Sequence, residues 1–142
     1  MTAASAGYEY FEVEADVGVR AWGPSAGEAF AQAAAGVLAL TVDPSNVLPS
    51  ERREVRAQGE SREALLVNFV NECLYVHEIE GIVVRTVEVD VCDEHLVHGV
   101  LHGEELDRSR HHLGTVVKAA TLHHVQVTVD EGVWAVRIVV DV

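Results

Sequence analysis

The sequence predicts a single α+β domain, with two helices packed on largely antiparallel β-sheet. Apolar residues alternate with a period of two near both ends of the chain and through most of its C-terminal half. Between these stretches lie two segments of helical spacing, each opened by a serine cap. The length of 142 residues suits one domain with a core of its own. No repeat, low-complexity stretch or linker divides residues 1–142.

Residues 8–13 and 17–22 read as the opening strands, with Gly23-Pro24 as the break after them. Across residues 12–20, Val13, Ala15, Val17 and Val19 alternate with Glu14, Asp16, Gly18 and Arg20, the pattern of a buried strand. Ser25-Ala-Gly-Glu28 is a capping box, in which the serine hydroxyl takes a first-turn N–H and Glu28 reaches back. Ala26, Ala29, Phe30, Ala33, Val37 and Leu38 follow at helical spacing, and Pro44 closes the segment. The alanines allow this helix to approach a sheet closely. Residues 51–57 form a polar strand suited to a sheet edge.

The second helix starts at Ser61 and ends near Glu80-Gly81. Its broad apolar stripe of Leu65, Leu66, Phe69, Val70, Cys73 and Leu74 marks the more buried helix. Strands are expected at 82–91, 95–101, 115–120, 123–129 and 133–140. Asp130-Glu131-Gly132 is a hairpin signal, and 103–114 reads as a loop.

Composition narrows the function. Nearly half the residues are hydrophobic, which argues against disorder. No apolar run approaches the ~20 residues of a membrane span. The opening Met-Thr-Ala-Ala-Ser-Ala-Gly lacks a basic start and a hydrophobic stretch, so a cytoplasmic protein is expected. With 23 acidic and 10 basic side chains the formal net charge is −13. Such a surface repels phosphate backbones, so direct nucleic-acid binding is not expected, and a basic protein partner or a metal cation is favoured. Cys73 and Cys92 sit in apolar surroundings and read as buried free thiols.

Asp16 and Asp141 are the first candidates for chemistry, together with the terminal carboxylate of Val142. If both ends of the chain meet in one sheet, these oxygens converge and call for a hard divalent cation. Spacing alone equally fits two solvated strand-end residues far apart. Eight histidines include His95, His98 and His102 and the pairs His111-His112 and His123-His124. Adjacent residues of a strand point to opposite faces, so neither pair is expected to chelate one ion. Solvated or singly hydrogen-bonded histidines are expected instead. Lys118 is the only lysine; a solvated strand face, a charge partner for the acidic cluster and a contact with another protein all suit it. No nucleophile elbow and no phosphate-binding loop is present.

An ordered set of motifs resembles the archease family. Glu12-Val13-Glu14-Ala15-Asp16-Val17-Gly18 is similar to its pattern Glu-His-Thr-Ala-Asp-Val-Gly. The capped helix bearing Glu28-Ala29-Phe30 follows as it does there, and residues 65–75 resemble the second-helix signature. Gly103-Glu104, Leu106-Asp107 and His111 match the family's loop. Residues 117–123 resemble its lysine–threonine–histidine strand, and Val-Val-Asp-Val its closing Leu-Asp-Ile.

The resemblance implies an archease-like fold and an accessory protein rather than an enzyme. Its partner would be the GTP-dependent RNA-splicing ligase that joins tRNA exon halves. The accessory protein promotes guanylylation of the ligase's active-site histidine, supports multiple turnovers and broadens nucleotide use. Asp16, Asp141 and the Val142 terminus would hold a divalent cation (Ca, Mg or Mn), while Lys118, with His123 of the same motif, would serve activation of the partner. Val13 and Glu14 depart from the family's His-Thr. Glu14, two residues from Asp16 and so expected on the same strand face, would be an extra ligand. The rival readings are a metal-dependent hydrolase using the same carboxylates and a chaperone or binding module for another basic protein.

Overall fold

The computed structural model describes residues 5–142. Residues 1–4, at the head of the stretch read above for a targeting signal, lie outside the described residues. In order, the elements are β1 (Gly7–Val13), β2 (Asp16–Gly23), α1 (Ala26–Thr41), a 3-10 turn (Pro44–Asn46), β3 (Glu51–Gln58), α2 (Arg62–Glu80), β4 (Ile82–Cys92), β5 (Leu96–Glu105), β6 (Ala119–Asp130) and β7 (Val133–Asp141). All strand pairs are antiparallel, in two sheets of order β1-β2-β7-β6 and β3-β5-β4. The α+β class is as expected, and the polar β3 is indeed an edge.

The helices lie between the sheets. α1 packs on β1, β2 and β7 of the larger sheet and on β4 of the smaller one. α2 packs on β6 of the larger sheet and on β3, β4 and β5 of the smaller. A helix covered on opposite sides must be apolar or small around much of its circumference. Hence Ala29, Ala33, Ala34 and Val37 of α1 are fully buried, as are Leu65, Leu66, Phe69, Val70 and Cys73 of α2. The larger sheet comes so close to α1 that a methyl group on Gly36 would sit 2.8 Å from the Tyr8 ring. Tyr10 completes that contact by donating its hydroxyl to the Gly36 carbonyl at 2.7 Å.

Both expected serine caps form, but among the described residues the Glu28 carboxylate does not bond back to Ser25, so the capping box is only half made. Ser25 Oγ accepts the Glu28 N–H and Ser61 Oγ accepts the Ala64 N–H, each at 3.1 Å. Gly81 ends α2 in the left-handed region, φ 70°. Glu131 and Gly132 have φ of 49° and 79° between the paired Asp130 and Val133, which makes the expected tight hairpin. The two cysteines are free, and burial pushes the Cys73 thiol well above its usual range.

Several expectations are corrected. Residues 12–20 are not one strand: Val13 pairs with Asp16 across a two-residue turn, and Glu14 has φ 49°. The strands expected at 115–120 and 123–129 are a single β6, which starts only at Ala119 and is interrupted by a register shift between Thr121 and Gln126. The expected loop 103–114 begins later, because Gly103 and Glu104 still pair in β5. None of the described helices is long and apolar enough to cross a membrane.

Gly103 shows how tightly the smaller sheet is drawn. A Cβ there would lie 1.9 Å from the Val83 carbonyl oxygen, a backbone atom that no rotamer change can move. Gly103→Ala is expected to cost about 3 kcal/mol, roughly 10 °C in Tm by thermal unfolding.

Candidate functional site

The pairing of β2 with β7 joins the two ends of the chain. Val17 lies opposite Val140 and Val19 opposite Ile138, and the same register carried one pair further sets Asp16 across from Asp141. Val19, Ile138 and Val140 are fully buried toward the helices. Alternation therefore turns Asp16 and Asp141 to the outer face, where both are half-buried. Asp141 also pairs with Ala119 of β6, and its carbonyl accepts the Lys118 N–H at 2.9 Å. Lys118 is exposed and forms no salt bridge among the described residues. Asp16, Asp141 and Lys118 thus share one end of the larger sheet.

The donors at this end are oxygens. Among the described residues no three His, Cys, Asp or Glu side chains gather as a metal cluster. Two adjacent carboxylates, with Val142 next in the chain and solvent completing the set, suit a hard, oxygen-loving cation rather than one that needs nitrogen or sulfur. Val13 faces Asp16 directly across β1 and β2. An apolar side chain therefore stands where the family pattern places a histidine.

Other predicted residues are not drawn in. Glu14 is exposed in the hairpin turn, which overturns the premise that it shares a strand face with Asp16. His123 lies further along β6, in the irregular stretch that follows Thr121. There the rule of opposite faces fails: His124 adopts φ 58°, and the two imidazoles lie against each other, tilted by 52° with centroids 3.9 Å apart. The expectation that neighbouring histidines diverge assumed a regular strand, which this bulge is not. His98 sits between two carboxylates, Asp90 and Glu54, and His102 beside one, Glu88, so the two histidines have separate partners rather than a shared chelate.

One network escaped the reading of the residues as chemistry. Glu104 is buried, and its carboxylate accepts bonds from the Leu48 N–H at 2.6 Å and from both Nη atoms of Arg110. His111, also buried, accepts the Asp107 N–H at Nδ1, 2.9 Å, leaving Nε2 to donate to Glu104 at 3.0 Å. These bonds hold the Glu104 carboxyl at about 2, well below its ordinary 4.5. The network ties β5 to the turn before β3 and to the loop that leads toward Lys118. That loop is fastened again where Gly114 and Thr115 donate to the Thr41 and Leu40 carbonyls at the end of α1, at 2.9 and 2.7 Å. Glu104 and His111 belong to the family-like loop motif, which was the only signal for them; their burial had none.

Comparison with known proteins places the chain. A model of the Archease protein family matches residues 8–142. The chain belongs to that family. Similar archease proteins include one from Pyrococcus abyssi, 35% identical over 139 residues that cover 95% of this chain and 98% of that one. Another, from Sulfurisphaera tokodaii, is 34% identical over 136 residues, with the same coverage. The solution structure of Methanobacterium thermoautotrophicum protein 1598 superposes with a TM-score of 0.78 at 30% identity, covering 96% of this chain and 99% of that one. A crystal structure from Thermotoga maritima, called an archease and possible chaperone, has a TM-score of 0.63 at 20% identity over 93% and 94% of the two chains. At that identity the likeness is one of fold. The archease match includes both strands that bring Asp16 and Asp141 together.

The Glu104 network predicts a pH dependence. Because the fold lowers this carboxyl below its ordinary value, its stabilisation is complete above about 4.5 and is lost as the pH falls toward about 2. Glu104→Gln should therefore lower Tm at pH 7, and the gap to wild type should close between about pH 4.5 and 2 in thermal unfolding.

Proposed function

We propose that this archease-family protein is an accessory activator of a GTP-dependent RNA-splicing ligase, promoting guanylylation of that enzyme and its multiple turnover. The observation that carries the reading is the meeting of Asp16, Asp141 and Lys118 at one end of the larger sheet. A net charge of −13 supports it from another side. So acidic a protein is suited to act on an RNA-binding enzyme rather than on RNA.

Asp16, Asp141 and the carboxylate of Val142 would hold a divalent cation, Ca, Mg or Mn, by oxygen donation. When bound, the cation supplies positive charge next to phosphate oxygens. The carboxylates lie on adjacent strands, so little side-chain freedom is lost in bringing them together. Lys118 extends from a backbone fixed to Asp141 and needs no internal partner, which leaves its ammonium free for the ligase or its nucleotide. In guanylyl transfer the gain comes from positioning and charge neutralisation, which such groups provide without reacting themselves. His123, further along β6, would contribute to the partner surface rather than to the cation.

Asp16→Asn and Asp141→Asn should each weaken Mn²⁺ affinity by ~10-fold or more in calorimetric titration, consistent with losing one charged ligand of few. Glu14→Gln should leave that affinity unchanged, since the turn carries Glu14 off the strand face. Lys118→Ala should retain cation binding and lower maximal stimulation of ligase guanylylation by ~10-fold or more, the scale of a lost charged contact to phosphate. A wild-type protein that fails to stimulate a cognate ligase contradicts the proposal. Phosphoester hydrolysis by the isolated protein would favour the hydrolase reading instead.

A further inference from the structure

We infer that Asn71, in the middle of α2, is a positioning residue: its side-chain amide stands in for a neighbouring strand at Ala120 and so holds Lys118 in place beside Asp141. β6 is an edge of the larger sheet, and among the described residues no strand pairs with its outer side. At Ala120 that side is nevertheless satisfied. The Ala120 N–H donates to Asn71 Oδ1 at 2.8 Å, and Asn71 Nδ2 donates to the Ala120 carbonyl at 3.2 Å. One primary amide thus satisfies both groups that a further strand would engage.

Local pairing explains why this stretch needs a clamp. Between the irregular segment 115–118 and the register shift after Thr121, β6 meets β7 through only three pairs: Ala119 with Asp141, Ala120 with Val140 and Thr121 with Val139. Three pairs at a sheet edge make a short ladder. On one side the chain leaves it through a bulge with His124 at φ 58°; on the other it passes straight into Lys118. Asn71 grips the middle pair from the helix, and through it the Lys118 N–H bond to the Asp141 carbonyl.

The residue type fits that task and not the demands of the helix. Asparagine is a poor helix former, because its amide competes for backbone groups. Here the amide is spent on another element. Aspartate would accept the Ala120 N–H but could not donate to the carbonyl, and an apolar residue would do neither. Asn68, one turn earlier, makes a contrasting bond: a single exposed donation at 2.7 Å to the Gln58 carbonyl of the smaller sheet. The two asparagines thereby tie α2 to each sheet, but only Asn71 binds through both ends of its amide.

That Lys118 acts on a ligase rests on the reading proposed above, so the test has two readouts. The first is amide hydrogen exchange in Asn71→Ala and Asn71→Asp. Exchange at Lys118 and Ala120 should accelerate by ~10-fold or more in Asn71→Ala, while the amides of β2 and of the α1 core keep their rates. Asn71→Asp, which retains the acceptor, should accelerate Ala120 less. The second readout is maximal stimulation of guanylylation in a double-mutant cycle with Lys118→Ala. Asn71→Ala should lower the maximum by ~10-fold at an unchanged half-saturating concentration, and should have no further effect once Lys118 is alanine.

Equal losses in both backgrounds, or exchange that rises across the whole protein, would mark general destabilisation and overturn the inference. Unchanged exchange at Ala120 in both variants would overturn it as well. Local acceleration with a wild-type protein that stimulates no ligase would uphold the clamp and remove the activation reading alone.

Discussion

Antiparallel pairing of β2 with β7 is the interaction on which the rest depends. These strands come from opposite ends of the chain, and their ladder turns the larger sheet from two hairpins into one surface. It buries Val19 against Ile138, closes the core over α1, and fixes which residues look outward at the end of the sheet. A slip of β2 by one residue would turn Val17 outward and Asp16 into the core, and a slip of β7 would do the same to Val140 and Asp141, so burial of the valines also enforces the placement of the acids. Core and candidate site share one register.

The helices are shaped by the same geometry. A helix between two sheets cannot show the usual polar side over most of its length, and α1 meets this with alanine and glycine while α2 meets it with leucine, valine and phenylalanine. Polar groups that remain between layers are bonded across them. Tyr10 reaches from β1 to the α1 backbone, and Asn71 reaches from α2 to β6. Glu104 gathers the turn before β3 and the loop after β5 around one carboxylate. Each of these ties costs little to satisfy in place and much to leave unpaired; those of Glu104 and Asn71 hold the chain on either side of Lys118.

What could be read from the sequence follows the range of the forces involved. Helix starts at Ser25 and Ser61, the Gly81 stop and the Glu131-Gly132 hairpin depend on residues a few positions apart, and each was visible. Asp16, Asp141 and Lys118 could be named from motif resemblance, but their meeting could not be read from spacing, because it depends on pairing between distant strands. The break between β1 and β2 was legible as separate strands at 8–13 and 17–22, but the alternation running through 12–20 concealed that the turn takes Glu14 off the strand face. The bulge after Thr121 was hidden because His-His has no strong turn signature, unlike Asn-Gly or Asp-Gly. Glu104 and His111 looked like ordinary loop residues, since burial of a charge is decided by partners far away in the chain.

The shared register and the proposed cation meet in one observable. Titration of the labelled protein with Mn²⁺, followed by paramagnetic broadening of backbone amide resonances, locates a bound ion directly. Broadening is predicted to begin, at the lowest concentrations, at Asp16, Asp141 and Lys118 together, although these residues lie at opposite ends of the sequence. Broadening that begins at one of them alone, or around the His98 and Asp90 pair of the smaller sheet, would contradict the account.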